Sequence, residues 1–304
     1  MLDRDDVQRA RATIGDRLPR TPMLRSRALG ADLKCELFQR TGSFKARGAL
    51  NRISALTPEE RERGVITISA GNHAQAVAFA AAAEGVDALV VMARGASAQK
   101  VEATRAYGAA VDLEAPDFVA AFDRVHALTA ETGRVLVHPH EDPLVLAGAG
   151  TVGLEIEEDA PGADAVLVAV GGGGLIAGIT AAIGDRMRVV AVEPETSQAF
   201  HAALAAGGPT TVTPVSIADG LNAPRLGQLP YELCRGLESV LVTEEKIREA
   251  FRFLYRRTKL AVEPAAAVAA AGLLTGKVAA LRPVVVVSGG NVSAELASDI
   301  LGAR

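Results

Sequence analysis

Tryptophan is absent from the 304-residue chain, cysteine occurs twice, and the remaining aromatics are three tyrosines and eight phenylalanines. So few aromatic rings, with a net charge of −4 spread over both signs, argue against a surface that tracks phosphates and stacks bases. No nucleic-acid partner is expected. Cys35 and Cys234 lie far apart with no His or Cys beside them, a pattern of free thiols in a reducing compartment, not of a disulfide framework or zinc site. The N-terminal "MLDRDDVQRARATIGDRL" lacks the apolar centre of a signal peptide. One long uncharged run, Ala165 to Gly184, is interrupted by four consecutive glycines. They divide it into a buried strand and a separate helix, which argues against a membrane span. The expectation is a soluble, cytoplasmic protein with no membrane partner.

What is present is alternation. "GVITIS" (64–69), "DALVVM" (87–92), "AAVDLE" (109–114), "DAVLVAVG" (164–171), "MRVVAVEP" (187–194) and "PVVVVSGGN" (283–291) each precede a stretch of helical periodicity. Several of those helical stretches end on glycine, at Gly85, Gly108, Gly133 and Gly184. Continuous apolar strands, each followed by a helix, predict an α/β protein with mainly parallel sheets. The best boundary signals are "TPEERERG" near Thr57 and "HPHEDP" at 138–143. They suggest a small domain, 61–141, inserted in a larger one formed by 1–60 and 142–304.

Three strand-to-helix junctions are rich in glycine or small polar residues: "SAGNHAQA" (69–76), "GGGGLIAG" (171–178) and "SGGN" (288–291). In parallel sheets ligands bind outside the carboxyl ends of the strands, where such loops sit. Without Cβ atoms, Gly171 to Gly174 can close their N–H groups around a phosphate at a helix N-terminus. A dinucleotide fingerprint fits poorly, because Ile176 stands where the third glycine belongs. A further question is set by "TGSFKARGALNRI" (41–53), which puts Lys45 at the start of an amphipathic helix. Cations are unfavourable there. The positive helix end and the nearby Arg47 would disfavour the ammonium and favour a nucleophilic amine. A phosphate cradle plus such an amine suggests a phosphate-bearing aldehyde held as a Schiff base.

"LKCELFQRTGSFKARGALN" (33–51), "SAGNHAQAVAFAA" (69–81), "GGGGLIAG" (171–178), "AVEP" (191–194), "TKLAVEPAAAV" (258–268) and "VVVVSGGNV" (284–292) together resemble the fold type II, or β-family, pyridoxal-phosphate enzymes. Within these they look most like the serine/threonine dehydratase (threonine ammonia-lyase) and serine racemase branch. The resemblance implies a tryptophan synthase β-like fold of two domains, each a mainly parallel sheet flanked by helices. It implies Lys45 as Schiff-base lysine and general base, with Phe44 beside the ring of pyridoxal 5′-phosphate. Asn72 would bond the ring's phenolic oxygen, Gly171, Gly172, Gly173 and Gly174 would hold the phosphate, and Ser288 would face the pyridine nitrogen. Glu263 would lie near the ring. Ser69, Ala70, Gly71, Asn72 and His73 would receive the carboxylate of an amino-acid substrate. The implied reaction is α,β-elimination of a β-hydroxy amino acid, threonine or serine, to a 2-oxo acid and ammonia. The implied assembly is a homodimer.

Several positions steer or complicate that reading. Serine racemases of the animal type resemble "SSGNH", whereas Ala70 here carries a methyl that cannot move a proton. Racemisation is therefore the alternative, along with dehydration of hydroxyaspartate or phenylserine. The branch's divalent-metal site pairs the glutamate of "VEP" with an aspartate six residues on. Glu193 is present but the sixth position is Ala199, so a divalent or monovalent cation rests on Glu193 alone, and a helix-entrance acid is the competing role. Ala149 in "AGAGT" replaces a more usual glutamine. His126, His138, His140 and His201 are expected to be packing, domain-crossing or solvated residues. No regulatory domain is expected after the catalytic core. Two readings from other classes are a binding protein for a phosphorylated ligand and a nicotinamide-dependent dehydrogenase.

Overall fold

The computed structural model describes residues 2–302. Its strands are β1 (Met23–Ser26), β2 (Ala31–Cys35), β3 (Val65–Ile68), β4 (Ala88–Ala93), β5 (Ala110–Ala115), β6 (Val135–Leu136), β7 (Ala165–Ala169), β8 (Arg188–Pro194), β9 (Glu238–Val242) and β10 (Pro283–Val287). They form a six-stranded sheet, ordered β1-β2-β10-β7-β8-β9, and a four-stranded sheet, ordered β5-β4-β3-β6. Every pairing is parallel except β1 with β2. The α/β class and the two helix-flanked parallel sheets agree with the sequence reading. Among the described residues, no helix is long and apolar enough to cross a membrane.

Four strands escape the periodicity argument for identifiable reasons. β6 has two residues, and β1 leaves Leu24 and Arg25 exposed. β2, "ADLKC", carries two charges yet is mostly buried, because the Lys34 ammonium is paired inside the protein. β9, "ESVLV", is partly exposed and lies at the sheet edge.

The six-stranded sheet is buried on both faces. Val284 and Val286 of β10 enter one apolar cluster, and Val285 and Val287 enter the other. This is the period of two expected of a central strand. A third cluster joins the Lys45–Ser54 helix, through Ala46, Leu50 and Ile53, to Val77 of the Asn72–Glu84 helix and Val90 of β4. The Lys45 helix thereby packs on the layer that covers the four-stranded sheet.

That helix is seated by Arg47. Its guanidinium is almost wholly buried, with Nε 2.8 Å from Glu36 Oε2 and Nη1 2.7 Å from Glu155 Oε1. Nη2 donates to the second oxygen of each carboxylate, at 2.8 and 2.9 Å. Lys34 joins at 2.6 Å from Glu155 Oε2. Planar, two-toothed pairing of this kind suits arginine and not lysine. On the same contact, Gly148 of the Pro143–Asp159 helix lies so close that a Cβ would stand 2.5 Å from the Arg47 carbonyl oxygen. "AGAGT" is therefore a helix-packing seam, and Ala149 within it is buried in the apolar core.

Removing one member of this network leaves buried charge uncompensated. Arg47→Ala is expected to lower unfolding stability by about 3–5 kcal/mol, measured by urea titration at pH 7. Burial pushes the Glu155 carboxyl up, but its bonds to Arg47 and Lys34 outweigh that and hold it below the usual 4.5. Its stabilising contribution is thus full above that value and lost as pH falls through the lower folded-state value. The loss on Arg47→Ala is expected to shrink in acid over the same range.

Candidate active site

A cavity of about 1280 Å³ opens at the carboxyl ends of β3, β7 and β10, with Lys45, Asn72, Gly171 to Gly174, Glu263 and Ser288 in its wall. Phe44, Ser69, Ala70, Gly71 and His73 line it as well. Of the site residues singled out from the sequence, all but Glu193 are brought together here. Loops that follow parallel strands converge because all those strands run the same way.

The helices that deliver these residues share a local feature. Those starting at Lys45, Asn72, Gly174 and Pro264 have no side-chain cap. Asp3, Thr57, Asp142 and Thr243 cap helices elsewhere, and Ser97 and Asp117 cap two further helices that also line the cavity. Asn72 is the first helical residue and Gly71 the cap position, so its amide is free for other work. Uncapped N-termini leave donors and positive partial charge facing the cavity.

Lys45 Nζ donates to the Pro139 carbonyl oxygen at 3.0 Å and lies 5.2 Å from the centre of the Phe44 ring. Burial pulls its pKa down to about 8, while the Glu263 carboxylate pulls the other way. The structure corrects the expectation that Arg47 contributes to this drop. Two residues apart on a helix point to different faces, and Arg47 is spent on Glu36 and Glu155. Glu263 is buried and accepts from Asn72 Nδ2 on both oxygens, at 2.9 and 3.0 Å. Burial raises its carboxyl to about 7, against the bond from Asn72.

The glycine loop is a cradle that side chains would fill. A Cβ on Gly172 would enter the His140 ring, and Gly173 has φ +90°, with Pro230 and Leu226 against its open side. A Cβ on Gly174 would stand 3.3 Å from the His140 Cα. His138 and His140 are thus cavity-wall residues and not merely a crossing between domains; their rings meet edge-on at 4.7 Å. Burial and then the Lys45 charge take His138 to about 4 and His73 to about 3. Burial, His138 and Lys45 also hold His140 well below the usual value. All three are neutral at pH 7. The 138–140 segment follows a strand as the other site loops do, but β6 is only two residues long, so the sequence carried no strand signal for it. His126 and His201 are exposed and outside the cavity lining, His126 packing edge-on against Phe122 of the wall.

Glu193 stands elsewhere. Its two oxygens accept from the backbone N–H groups of Phe200 and His201, at 2.8 Å each, at the start of the Ala199–Ala206 helix. Among the described residues, no three His, Cys, Asp or Glu side chains group to hold a metal ion.

A nucleophilic amine, a side-chain-free cradle at a helix N-terminus, and amide and hydroxyl groups between them fit an aromatic aldehyde bearing a phosphate. A family model described as pyridoxal-phosphate dependent enzyme matches residues 15–290. The chain belongs to that family. It is 41% identical to the catabolic L-threonine dehydratase TdcB of Escherichia coli (strain K12), over 98% of this chain and 95% of that protein. It is 40% identical to the L-threonine ammonia-lyase of Thermotoga maritima, over 99% of this chain and 78% of that protein. Among solved structures, maize serine racemase superposes with TM-score 0.92 at 36% identity, covering 97% of this chain and 95% of the other. The T.th. threonine deaminase gives 0.90 at 38%, covering 96% and 99%. The cofactor is therefore pyridoxal phosphate, and the fold is that of the type II enzymes.

Two outcomes follow from the geometry. Trapping pyridoxal phosphate on Lys45 of the apoprotein with borohydride should rise with pH and be half-maximal near 8, not near the usual 10.5, as followed by peptide mass. Gly172→Ala should weaken cofactor binding at least about tenfold, a loss of roughly 1.4 kcal/mol, because the new methyl displaces the His140 ring. Absorbance titration of the apoprotein measures it.

Proposed function

We propose that this enzyme deaminates L-threonine or L-serine, eliminating the β-hydroxyl and returning a 2-oxo acid and ammonia. The observation that carries the reading is Lys45: an amine with its pKa brought to about 8, set where uncapped helices and the glycine cradle meet. The identity to proteins named L-threonine dehydratase and L-threonine ammonia-lyase supports the substrate class.

Bound there, pyridoxal phosphate supplies an electron-withdrawing ring that accepts the electron pair left when a substrate Cα–H proton departs. Lys45 is proposed to hold the cofactor and, once an amino acid has taken its place, to receive the Cα proton on Nζ. Gly171 to Gly174 offer backbone N–H groups to the phosphate. The Ser69–His73 loop receives the substrate carboxylate at the uncapped start of the Asn72 helix. Phe44 packs beside the ring, Asn72 donates to its phenolic oxygen, and Glu263 lies behind Asn72. Ser288 presents a hydroxyl to the ring nitrogen, a neutral partner that suits elimination over transamination. The β-hydroxyl leaves as water, and water then hydrolyses the released enamine, so the sum is one 2-oxo acid and one ammonia. Ala70 leaves the cavity face at that position without an acid or base, which favours elimination over racemisation.

The division into 1–60 with 142–304 and 61–141 is part of the proposal, supported by a four-stranded sheet drawn only from residues 65–136. A cytoplasmic homodimer is included on family likeness alone. For Glu193 we favour the helix-entrance role over a divalent or monovalent cation, because both oxygens already accept backbone N–H groups. Burial raises its carboxyl to about 7, against those two bonds.

The purified protein should absorb in the near-ultraviolet to visible region and convert L-threonine to 2-oxobutyrate. Lys45→Ala should lose the band and at least about 10²–10⁴-fold of the rate. Accumulating D-serine from L-serine would sink the preference for elimination. A band without 2-oxobutyrate or pyruvate would redirect the search to hydroxyaspartate and phenylserine.

A further inference from the structure

Asn291 lies in the "SGGN" loop after β10, open to the cavity. Its Nδ2 donates twice, to the Thr41 carbonyl oxygen at 2.7 Å and to Asn72 Oδ1 at 2.8 Å. A backbone carbonyl can only accept, so the first bond fixes which end of the Asn291 amide faces this way. Asn72 must then turn its oxygen towards Asn291 and its Nδ2 towards Glu263, where two bonds are observed. The donors point outward from Asn291, to the Thr41 carbonyl on one side and through Asn72 to the Glu263 carboxylate on the other. Flipping either amide would place donor against donor or acceptor against acceptor.

The backbone around this relay is built to hold it. Thr41 has φ +62°, rare for a threonine, and Gly42 has φ +73°. A Cβ on Gly42 would stand 2.5 Å from Asn291 Oδ1. Gly290 N donates to the Gly42 carbonyl at 2.9 Å, and Phe44 N to the Ser288 carbonyl at 3.1 Å. Ser43 and Gly289 form an antiparallel bridge between these contacts. The segment that delivers Lys45 and the segment that delivers Ser288 are thus zipped together, and Asn291 fastens the zip to Asn72.

We propose that Asn291 is a positioning residue that sets the orientation of the Asn72 amide, so that the oxygen turns to Asn291 and the Nδ2 group, seated on Glu263 in the cavity wall, is the end offered to the cofactor. This rests on the reading that places pyridoxal phosphate between Lys45 and Asn72. Asn291 acts through Asn72, and its removal should matter only while Asn72 is there to be oriented.

A double-mutant cycle on cofactor affinity tests it. Apoproteins of the wild type, Asn291→Ala, Asn72→Ala and the double variant are titrated with pyridoxal phosphate and followed by absorbance. Asn291→Ala should weaken Kd about tenfold in the wild type and no more than about threefold in Asn72→Ala, since residues sharing one network are non-additive. It should also move the absorbance maximum of the bound cofactor, which a loss of general stability would not do. Equal effects in both backgrounds, or an unchanged Kd and spectrum, overturn the proposal. If Asn291→Ala fails to fold, as judged by circular dichroism, Asn291→Ser is read by the same ratio. Wild-type binding that is lost in Lys45→Ala checks the underlying cofactor reading separately, so either can fail without the other.

Discussion

The Arg47 guanidinium, held between Glu36 and Glu155, is the contact on which the site depends. It ties the strand-end segment at Glu36 and the Pro143–Asp159 helix to the first turn of the Lys45 helix. With that face committed inward, Lys45 has only the cavity side available. The positive end of the helix, an unfavourable place for a cation, is tolerated because the helix is anchored two residues later by a fully paired charge. A lysine at 47 would supply one point charge where the network uses a planar fork.

The electrostatics of the cavity then follow from burial more than from charge pairing. Lys45, His73, His138 and His140 are four basic groups on one wall, and each is pushed towards its neutral form. Glu263 is the carboxylate that could have kept Lys45 charged, but it is bonded to Asn72 and itself raised to about 7. The result is an amine available as a nucleophile and base near neutrality and histidines that do not compete for its proton.

Much of this was legible in the sequence. β-branched runs such as "VVVV" before "SGGN" marked strands buried on both faces, and the tetraglycine marked a cradle because only glycine permits it. The site residues were readable because each stands near a strand's carboxyl end or a helix start. What was not readable needed three dimensions. Arg47 looked like a neighbour of Lys45 because it is two residues away, yet helical geometry sends it to another face. Lys34 made β2 look too charged for a central strand until its partners Glu155 and Asp159, more than a hundred residues on, were seen beside it. His140 looked like a linker residue because nothing local says that Gly172 packs against it.

Uncapped helix starts connect the two levels. Other helices carry Asp, Ser or Thr at the cap position, so the chain does not lack capping residues. At Lys45, Asn72, Gly174 and Pro264 it forgoes them and gives up the stabilisation of about 1 kcal/mol that each cap would contribute. These four uncapped starts meet at one cavity, where a ligand can supply the missing partners. An anionic cofactor and an anionic substrate carboxylate are the groups those free N–H donors suit. Their binding then stabilises the same fold that left the donors open.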